Sequence, residues 1–262
     1  MKKGVYIAKK KDQTVYYKAS ITFRNKHISL GSYPTEDAAH HAYCISETLL
    51  YDTSITAESI IQSPKSGLPF PKQMILLNFR DNGIYIPNAI YLRNGYFSYY
   101  LSPTEELIFD IDDLFYYSNR KIMKRAGHLF VNDYGMQVTI QSRYGIKPYG
   151  VEGRDYVFIN GNNHDFRYSN IEILCPYNGV ILKQKNDTIQ YVARLHINGN
   201  YIIGTYDTIT EAAIAYNKAI DLAKSHGIHK NFTPNYIDEL SPREYADAYT
   251  RIKISKKFMH YL

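Results

Sequence analysis

Apolar and polar residues alternate in two stretches that lie near the two ends of the chain. From Lys18 to Arg24, small and aliphatic residues occupy every second position and polar residues the positions between them. The same alternation runs from Val192 to Asn198. A period of two predicts strands with one buried face and one open, polar face. Asn25-Lys26 and Asn198-Gly199 follow as turn signals, so each stretch predicts a hairpin.

A stripe of small residues at helical spacing follows each predicted hairpin. Thr35 and Thr208 stand at the expected N-cap positions, with acidic residues in the next turn. The stripes themselves lie within residues 38–43 and 212–219 and contain mostly Ala, with one Tyr in each. Small residues allow a helix to lie close to the apolar face of its sheet. The opposite face of the sheet is then left open, polar and basic.

The same order of motifs occurs twice and reveals an internal repeat. Gly4-Val5 opens the first copy and Gly179-Val180 opens the second. Two copies at this separation predict two small modules that flank a different domain. A linker-like stretch covers Ser63 to Pro71, and Ser241-Pro242 predicts the start of a C-terminal helix. We therefore expect a first module over 1–62, a central domain over 72–176, a second module over 177–238 and a C-terminal helix over 239–262.

Composition adds a basic charge to this pattern. The 262 residues carry 31 Lys and Arg against 25 Asp and Glu, a formal net charge of +6. An anionic partner is therefore expected. Cys44 and Cys175 are isolated, so neither a disulfide framework nor a zinc site is predicted. The sequence shows no leader-peptide pattern and no membrane-spanning apolar run, and we expect no membrane partner and a location in the host-cell cytoplasm or nucleoid.

Each repeat resembles the Apetala-type (ethylene-response-factor) DNA-binding domain. The matching elements are Gly-Val, an aromatic-x-Ala-x-aliphatic strand, Leu-Gly-x-Tyr, and a Thr, followed by Glu in the first copy, with Ala-Ala and Ala-Tyr after it. The resemblance implies a three-stranded sheet that enters the major groove of duplex DNA. In the first copy it assigns DNA contact to Tyr6, Lys9, Lys10, Lys18, Ser20, Thr22, Arg24, His27 and Ser29. In the second copy it assigns contact to Lys183, Lys185, Arg194, His196 and Asn198.

The family's strand tryptophans are absent from both copies. Tyr17 and Ser29 occupy those positions in the first copy, and Tyr191 and Ile202 in the second. Strand arginines are also fewer, above all in the second copy. These departures leave base specificity unassigned, and the second module is expected to contact only the DNA backbone.

The central segment contains short aromatic strands and one longer motif. Strands are predicted at residues 83–86, 96–100 and 128–131, and a short helix from Phe109 to Tyr117. The run from Tyr156 to Leu174 resembles the core of the HNH endonuclease family, on the strength of Ile-Asn-Gly-Asn and Arg-x-Ser-Asn-Ile. This resemblance implies a strand, a turn, a polar loop and a helix entered at Ser169-Asn170. Together the patterns predict an α+β fold, with two three-stranded-sheet-plus-helix modules flanking a ββα-metal-type (HNH-like) domain.

The residues that perform HNH chemistry are replaced. The family binds a divalent cation through an Asp and activates water with the His beside it. Those positions are Val157 and Phe158 here, and neither side chain binds a metal or accepts a proton. The family's Asn is present as Asn170, and His164 in the loop is the one alternative base. We therefore expect no catalytic residue, no metal site and no cofactor. Backbone contacts to DNA are assigned to Arg143, Arg154 and Arg167.

Three interpretations of function follow from the sequence. The first is a non-catalytic protein of phage or mobile-element origin that binds double-stranded DNA as a regulator or blocker. The second is a phage-encoded inhibitor that binds a host nucleoprotein or defence complex. The third is an active, metal-dependent HNH nicking endonuclease that uses an unorthodox base. RNA stays open as a partner beside DNA, and the sequence does not fix the oligomeric state.

Overall fold

The first repeat forms a three-stranded antiparallel sheet with a helix against one face. The computed structural model describes residues 1–185 and 188–262. The strands, in the order β1-β2-β3, are β1 (Val5–Lys9), β2 (Val15–Phe23) and β3 (Lys26–Tyr33), and helix α1 (Glu36–Tyr51) follows. The buried contacts between sheet and helix involve Val5, Ala19, Ile21, Ile28, Leu30, Ala39, Ala42 and Tyr43. Full burial of one aliphatic side chain contributes about 1.5–3 kcal/mol, so this face anchors the module.

Two helices that the sequence did not predict extend the core of the first repeat. They are α2 (Ala57–Gln62) and α3 (Phe70–Asn82). Ile60 and Leu76 are fully buried and belong to the same cluster as Ala19 and Leu30. Pro71 in the first turn of α3 is compatible with a helix, since that turn has unpaired N–H groups in any case.

The middle of the chain contains two further three-stranded antiparallel sheets. The first comprises β4 (Ile90–Leu92), β5 (Tyr96–Ser102) and β6 (Glu105–Asp110), and helix α4 (Leu114–Ser118) follows it. The second comprises β7 (Met123–Arg125), β8 (His128–Asp133) and β9 (Met136–Thr139). A two-stranded sheet then pairs β10 (Tyr156–Phe158) with β11 (Ile171–Ile173).

The second repeat forms the same sheet and helix as the first. Its strands, in the order β12-β13-β14, are β12 (Val180–Lys185), β13 (Thr188–His196) and β14 (Asn200–Tyr206). Helix α5 (Ile209–Ser225) packs on the sheet, and α6 (Pro242–Arg251) and α7 (Lys256–Tyr261) complete the chain. The predicted C-terminal helix is thus two short helices.

The two repeats share backbone details as well as element order. The N–H of Ser20 donates to the carbonyl of Gly4 at 3.0 Å, and the N–H of Arg194 donates to the carbonyl of Gly179 at 2.8 Å. A register shift follows Ala19 in the first sheet and Ala193 in the second. Two sequences that reproduce the same bulge and the same strand-edge hydrogen bond fold as structural repeats. The α+β class, with small three-stranded antiparallel sheets and helices, is therefore confirmed.

Contacts divide the chain into two compact units. The first unit comprises Met1–Thr139 together with Asn163–Tyr168, and the second comprises Ile140–Asn162 together with Ser169–Leu262. Each unit contains one copy of the repeat. The four-part division drawn from the sequence stays a prediction. In the described part of the chain, no helix has the length and apolar character needed to cross a membrane.

Two predicted hairpin turns differ from those in the structure. In the first repeat the central turn residues are Arg24 and Asn25, with φ of 45° and 61°, and not Asn25 and Lys26. Two positive φ angles match the twist of the flanking strands, which explains why the turn lies one residue earlier. In the second repeat His196 pairs with Asn200, so the loop contains three residues, 197–199, and not two.

The middle segment corrects three further predictions. The expected helix at Ser169-Asn170 is a single 3-10 turn that leads into strand β11. Ile171 and Ile173 alternate with Glu172. β-Branched residues in alternation favour a strand, and this segment pairs with β10. The predicted strand at residues 83–86 is irregular backbone. The helix predicted from Phe109 begins only at Leu114, because Phe109 belongs to strand β6.

Candidate nucleic-acid interface

The open face of the first sheet carries a row of exposed residues across its three strands. Tyr6 of β1 pairs with Lys18 of β2, and Lys18 pairs with Ser32 of β3. All three are exposed, with Tyr6 at 54%. They lie on this face because Ala19 turns toward α1 and successive side chains alternate. The Lys18 Nζ lies 5.8 Å from the centroid of the Tyr16 ring, which places a cation beside an aromatic surface.

The same face ends in a polar pair near the hairpin. Thr22 and His27 are direct partners across β2 and β3, and the Thr22 Oγ1 lies 3.3 Å from the His27 Nδ1. Ser29 is exposed on β3 beside them. Hydroxyl and imidazole groups donate and accept hydrogen bonds, so this end can contact either phosphates or base edges.

Three of the predicted contact residues of the first copy are not available on this open face. Ser20 pairs with the exposed Ser29 and shares its face, but the side chain of Ser20 is only 7% exposed. Arg24 lies in the turn, and its Nη1 donates to the carbonyl of Phe79 at 3.2 Å. Lys9 lies four residues after the buried Val5 in β1, so it shares the face of Val5 and not the open face. Lys10 is exposed just after β1, where its N–H donates to Thr14.

The register also adds two residues that the sequence analysis missed. Tyr16 shares the open face with Lys18, and its position two residues earlier in the same strand was a usable signal. Ser32 joins the row only because the register shifts after Ala19. No local pattern predicts that shift, so Ser32 required the structure.

The corresponding row in the second sheet contains no charged residue. Ile181, Val192 and Thr205 pair across the three strands at the positions of Tyr6, Lys18 and Ser32. Ile202 on the same face is 61% exposed. An apolar row of this kind provides no cation for a phosphate, so the two open faces differ chemically.

The predicted contact residues of the second copy are dispersed. Lys183 and His196 are exposed, and the His196 Nδ1 lies 3.1 Å from the Asn200 Oδ1. Asn198 is held behind the sheet, because its Oδ1 accepts hydrogen bonds from Tyr201 and Tyr261 at 2.9 Å each. Arg194 is half-buried. The side chain of Lys185 lies outside what the structure describes.

The two positions that the HNH resemblance assigns to catalysis, Val157 and Phe158, lie in strand β10. Phe158 is only 6% exposed, and Val157 pairs with Glu172. Asn170 is buried, and its Oδ1 accepts the N–H of Asn160 at 2.8 Å while its Nδ2 donates to the carbonyl of Asn162 at 3.3 Å. Asn170 therefore holds the loop that follows β10.

His164 lies in an ion cluster of the first unit. Its Nε2 is 3.5 Å from the Glu105 Oε1, and the Lys124 Nζ is 2.5 Å from the same oxygen. The hydrogen bond from Lys124 holds the pKa of Glu105 below its usual value. Among the described residues, no group of three or more His, Cys, Asp and Glu side chains is arranged to hold a metal ion.

The three central arginines have separate environments. Arg167 forms a bidentate pair with the buried carboxylate of Asp165, at 2.9 and 2.6 Å. Arg154 pairs with Asp155 differently, since its Nε and Nη2 both donate to the same oxygen, Oδ2, at 3.1 and 2.6 Å. Arg143 is exposed in a 3-10 turn. Arg154 and Arg167 thus first neutralise buried carboxylates, and only their remaining N–H groups are available to a ligand.

No protein-family model, no curated protein and no solved structure matches this chain.

Proposed function

We propose that the chain is a non-catalytic, double-stranded DNA-binding protein whose first sheet enters the major groove through its open face. The observation that carries this proposal is the exposed row of Tyr6, Lys18 and Ser32 on the face opposite α1. A sheet with a helix on one side and a polar, cationic face on the other fits a groove that is about 12 Å wide. The net charge of +6 supports an anionic partner.

The second copy and the HNH-like segment have secondary roles in this proposal. With Ile181 and Val192 in place of Tyr6 and Lys18, the second sheet lacks the cation that the central row of the first sheet presents. Val157 and Phe158 argue against cleavage, because they offer neither a metal ligand nor a proton acceptor. A descent from an HNH homing endonuclease of a phage or mobile element accounts for this combination. A protein that binds without cutting acts by occupying its site, as a regulator or a blocker.

A charge reversal on the open face tests the proposal. Lys18→Glu is expected to weaken duplex binding by about tenfold or more, because it replaces a phosphate-facing cation with a repelling carboxylate. Fluorescence anisotropy over a salt series measures both the affinity and its salt dependence. The slope of log K against log salt is expected to become shallower by about one, the contribution of one phosphate contact.

Lys65→Glu is the matched control. It makes the same charge change on the helix side, since the neighbouring Ser66 carbonyl lies 3.1 Å from the His41 Nε2 of α1. We expect this variant to bind duplex within about twofold of the parent, after the general effect of net charge. Equal losses of affinity for Lys18→Glu and Lys65→Glu would show that binding depends only on net charge. Such a result would contradict a specific role for the open face.

A further inference from the structure

A cavity of about 590 Å³ lies at the edge of the second sheet, within the second unit. This volume falls in the range of small-molecule sites, about 300–1,000 Å³. Its walls come from the second sheet, from helix α5 and the segment after it, and from the segments that precede β10 and β12. The lining residues that matter for chemistry are Arg154, Arg194, Tyr149, Phe232, Asn178 and Asn231.

The cavity carries positive charge that the protein does not neutralise. Lys147 and Arg154 share a single buried carboxylate, Asp155, at 2.8 and 2.6 Å. No described residue accepts a hydrogen bond from the half-buried guanidinium of Arg194. Burial, and then repulsion from Arg154, lower the pKa of Arg194. A half-buried cation beside a second cation is unfavourable unless an anion joins them.

The first repeat shows that this arginine is not needed for the fold. Ser20 occupies the equivalent backbone position, with the same N–H hydrogen bond to the glycine that precedes the first strand. The two copies thus hold a small hydroxyl and a guanidinium at one site of the same scaffold. The arginine is specific to the copy in which the cavity has formed.

The rest of the cavity lining suits a ligand with an aromatic ring that has polar edges. Tyr149 is 98% exposed at the cavity, and Phe232 contributes a second aromatic side chain. Aromatic rings stack on bases, and an amide such as Asn178 or Asn231 both donates and accepts hydrogen bonds. The guanidinium fork matches the geometry of a phosphate group.

We propose that this cavity binds a nucleotide, with Arg194 and the remaining N–H groups of Arg154 on its phosphate. The phosphate comes either from a free nucleotide or from a nucleic-acid strand. The site is separate from the open face of the first sheet, and it does not depend on duplex binding there.

Calorimetric titration of the full chain with adenosine 5′-monophosphate and with adenosine tests the site. We expect the monophosphate to bind and adenosine to bind at least about tenfold more weakly, since it lacks the charged group. Arg194→Ser installs the residue of the first repeat and is expected to reduce monophosphate affinity by about tenfold or more. Arg243→Ser removes an exposed arginine of α6, outside the cavity, and is expected to leave the affinity unchanged.

Competition then separates the two sources of phosphate. A short duplex that displaces the monophosphate places a strand phosphate in the cavity, whereas a duplex that binds without displacing it identifies a free nucleotide as the ligand. The proposal is overturned if neither compound binds at millimolar concentration, if adenosine binds as tightly as its monophosphate, or if Arg194→Ser binds like the parent. We expect Lys18→Glu to bind the monophosphate as the parent does. Nucleotide binding in the cavity and duplex binding by the first sheet are therefore tested independently.

Discussion

Gly179 lies directly against the ring of Tyr216. A methyl group added to Gly179 would come within 2.2 Å of that ring and 2.5 Å of the carbonyl oxygen of Arg194. Gly4 and Tyr43 stand in the same relationship in the first repeat, where the added carbon would come within 1.9 Å. The close approach explains why each repeat combines a Gly-Val pair with an Ala-Tyr pair: the helix tyrosine packs where the glycine has no side chain.

Gly179→Ala is therefore expected to lower the free energy of unfolding of the second unit by about 2–4 kcal/mol, from overlap and from an unfavourable φ of +70°. Denaturant unfolding followed by circular dichroism measures this. Gly161→Ala is the control, because Gly161 has a φ of +75° but no atom within 4 Å of the added carbon. It is expected to cost about 1 kcal/mol. Similar losses in both variants would show that packing against Tyr216 contributes nothing.

The helix caps give a second prediction. The Thr208 Oγ1 accepts the N–H of Glu211 at 3.1 Å at the start of α5. Thr208→Ala is expected to lower the free energy of unfolding by about 1 kcal/mol, because one N–H of the first turn loses its partner. Thr208→Ser keeps the hydroxyl and is expected to stay within a few tenths of the parent. If the serine variant loses as much as the alanine variant, the hydroxyl is not the stabilising group.

Asp155 makes the stability of the second unit dependent on pH. Burial alone raises the pKa of Asp155, but the pairs with Arg154 and Lys147 outweigh it and hold the pKa below its usual value. The carboxylate therefore stabilises the fold above its unfolded-state pKa, and this contribution is lost as pH falls through the folded-state pKa. Asp155→Asn is expected to cost about 3–5 kcal/mol near neutral pH, because two cations lose their counter-ion.

The comparison across pH is the decisive part of that experiment. The difference in melting temperature between Asp155→Asn and the parent should shrink as the pH is lowered from neutral toward 3, while Asp207→Asn, an exposed control, should match the parent throughout. A difference that stays constant over this range would assign the loss to packing and not to ionised Asp155.

Asn170 holds the loop after β10 through two hydrogen bonds, which gives a further prediction. Asn170→Ala removes the acceptor for the N–H of Asn160 and the donor to Asn162, and is expected to cost about 1–3 kcal/mol. Amide hydrogen exchange at Asn160 should speed up in parallel. Asn170→Asp keeps the acceptor, and we expect it to preserve protection at Asn160. Unchanged exchange in Asn170→Ala would show that the loop is held by other contacts.

The sequence predicted what local interactions determine. Thr35 caps α1 and Thr208 caps α5 as expected, because a cap depends only on a side chain and the first turn after it. The apolar faces of both sheets were also predicted, since alternation reports burial directly. Arg24 was misplaced because the turn register depends on both strands, and its contact with Phe79 joins residues far apart in the chain.

The environment of Arg194 shows the limit of the same reasoning. Strand alternation placed it on the open face, and it does alternate with buried neighbours. It lines a cavity together with residues of the segment 147–154, at least 40 residues earlier, whose position no periodicity encodes. The pairing of Asp155 with Lys147 was missed for the same reason, since a buried ion pair leaves no pattern in the sequence.

The most direct test of the central claim is selection of a randomised duplex library by the purified chain, with magnesium present and over a series of salt concentrations. Sequencing the bound and nicked fractions together reports recognition and cleavage in one experiment. The account predicts an enriched motif in intact duplex, with affinity that falls as salt rises. No retained duplex at low salt, or nicked product that depends on magnesium, would contradict a non-catalytic DNA-binding protein.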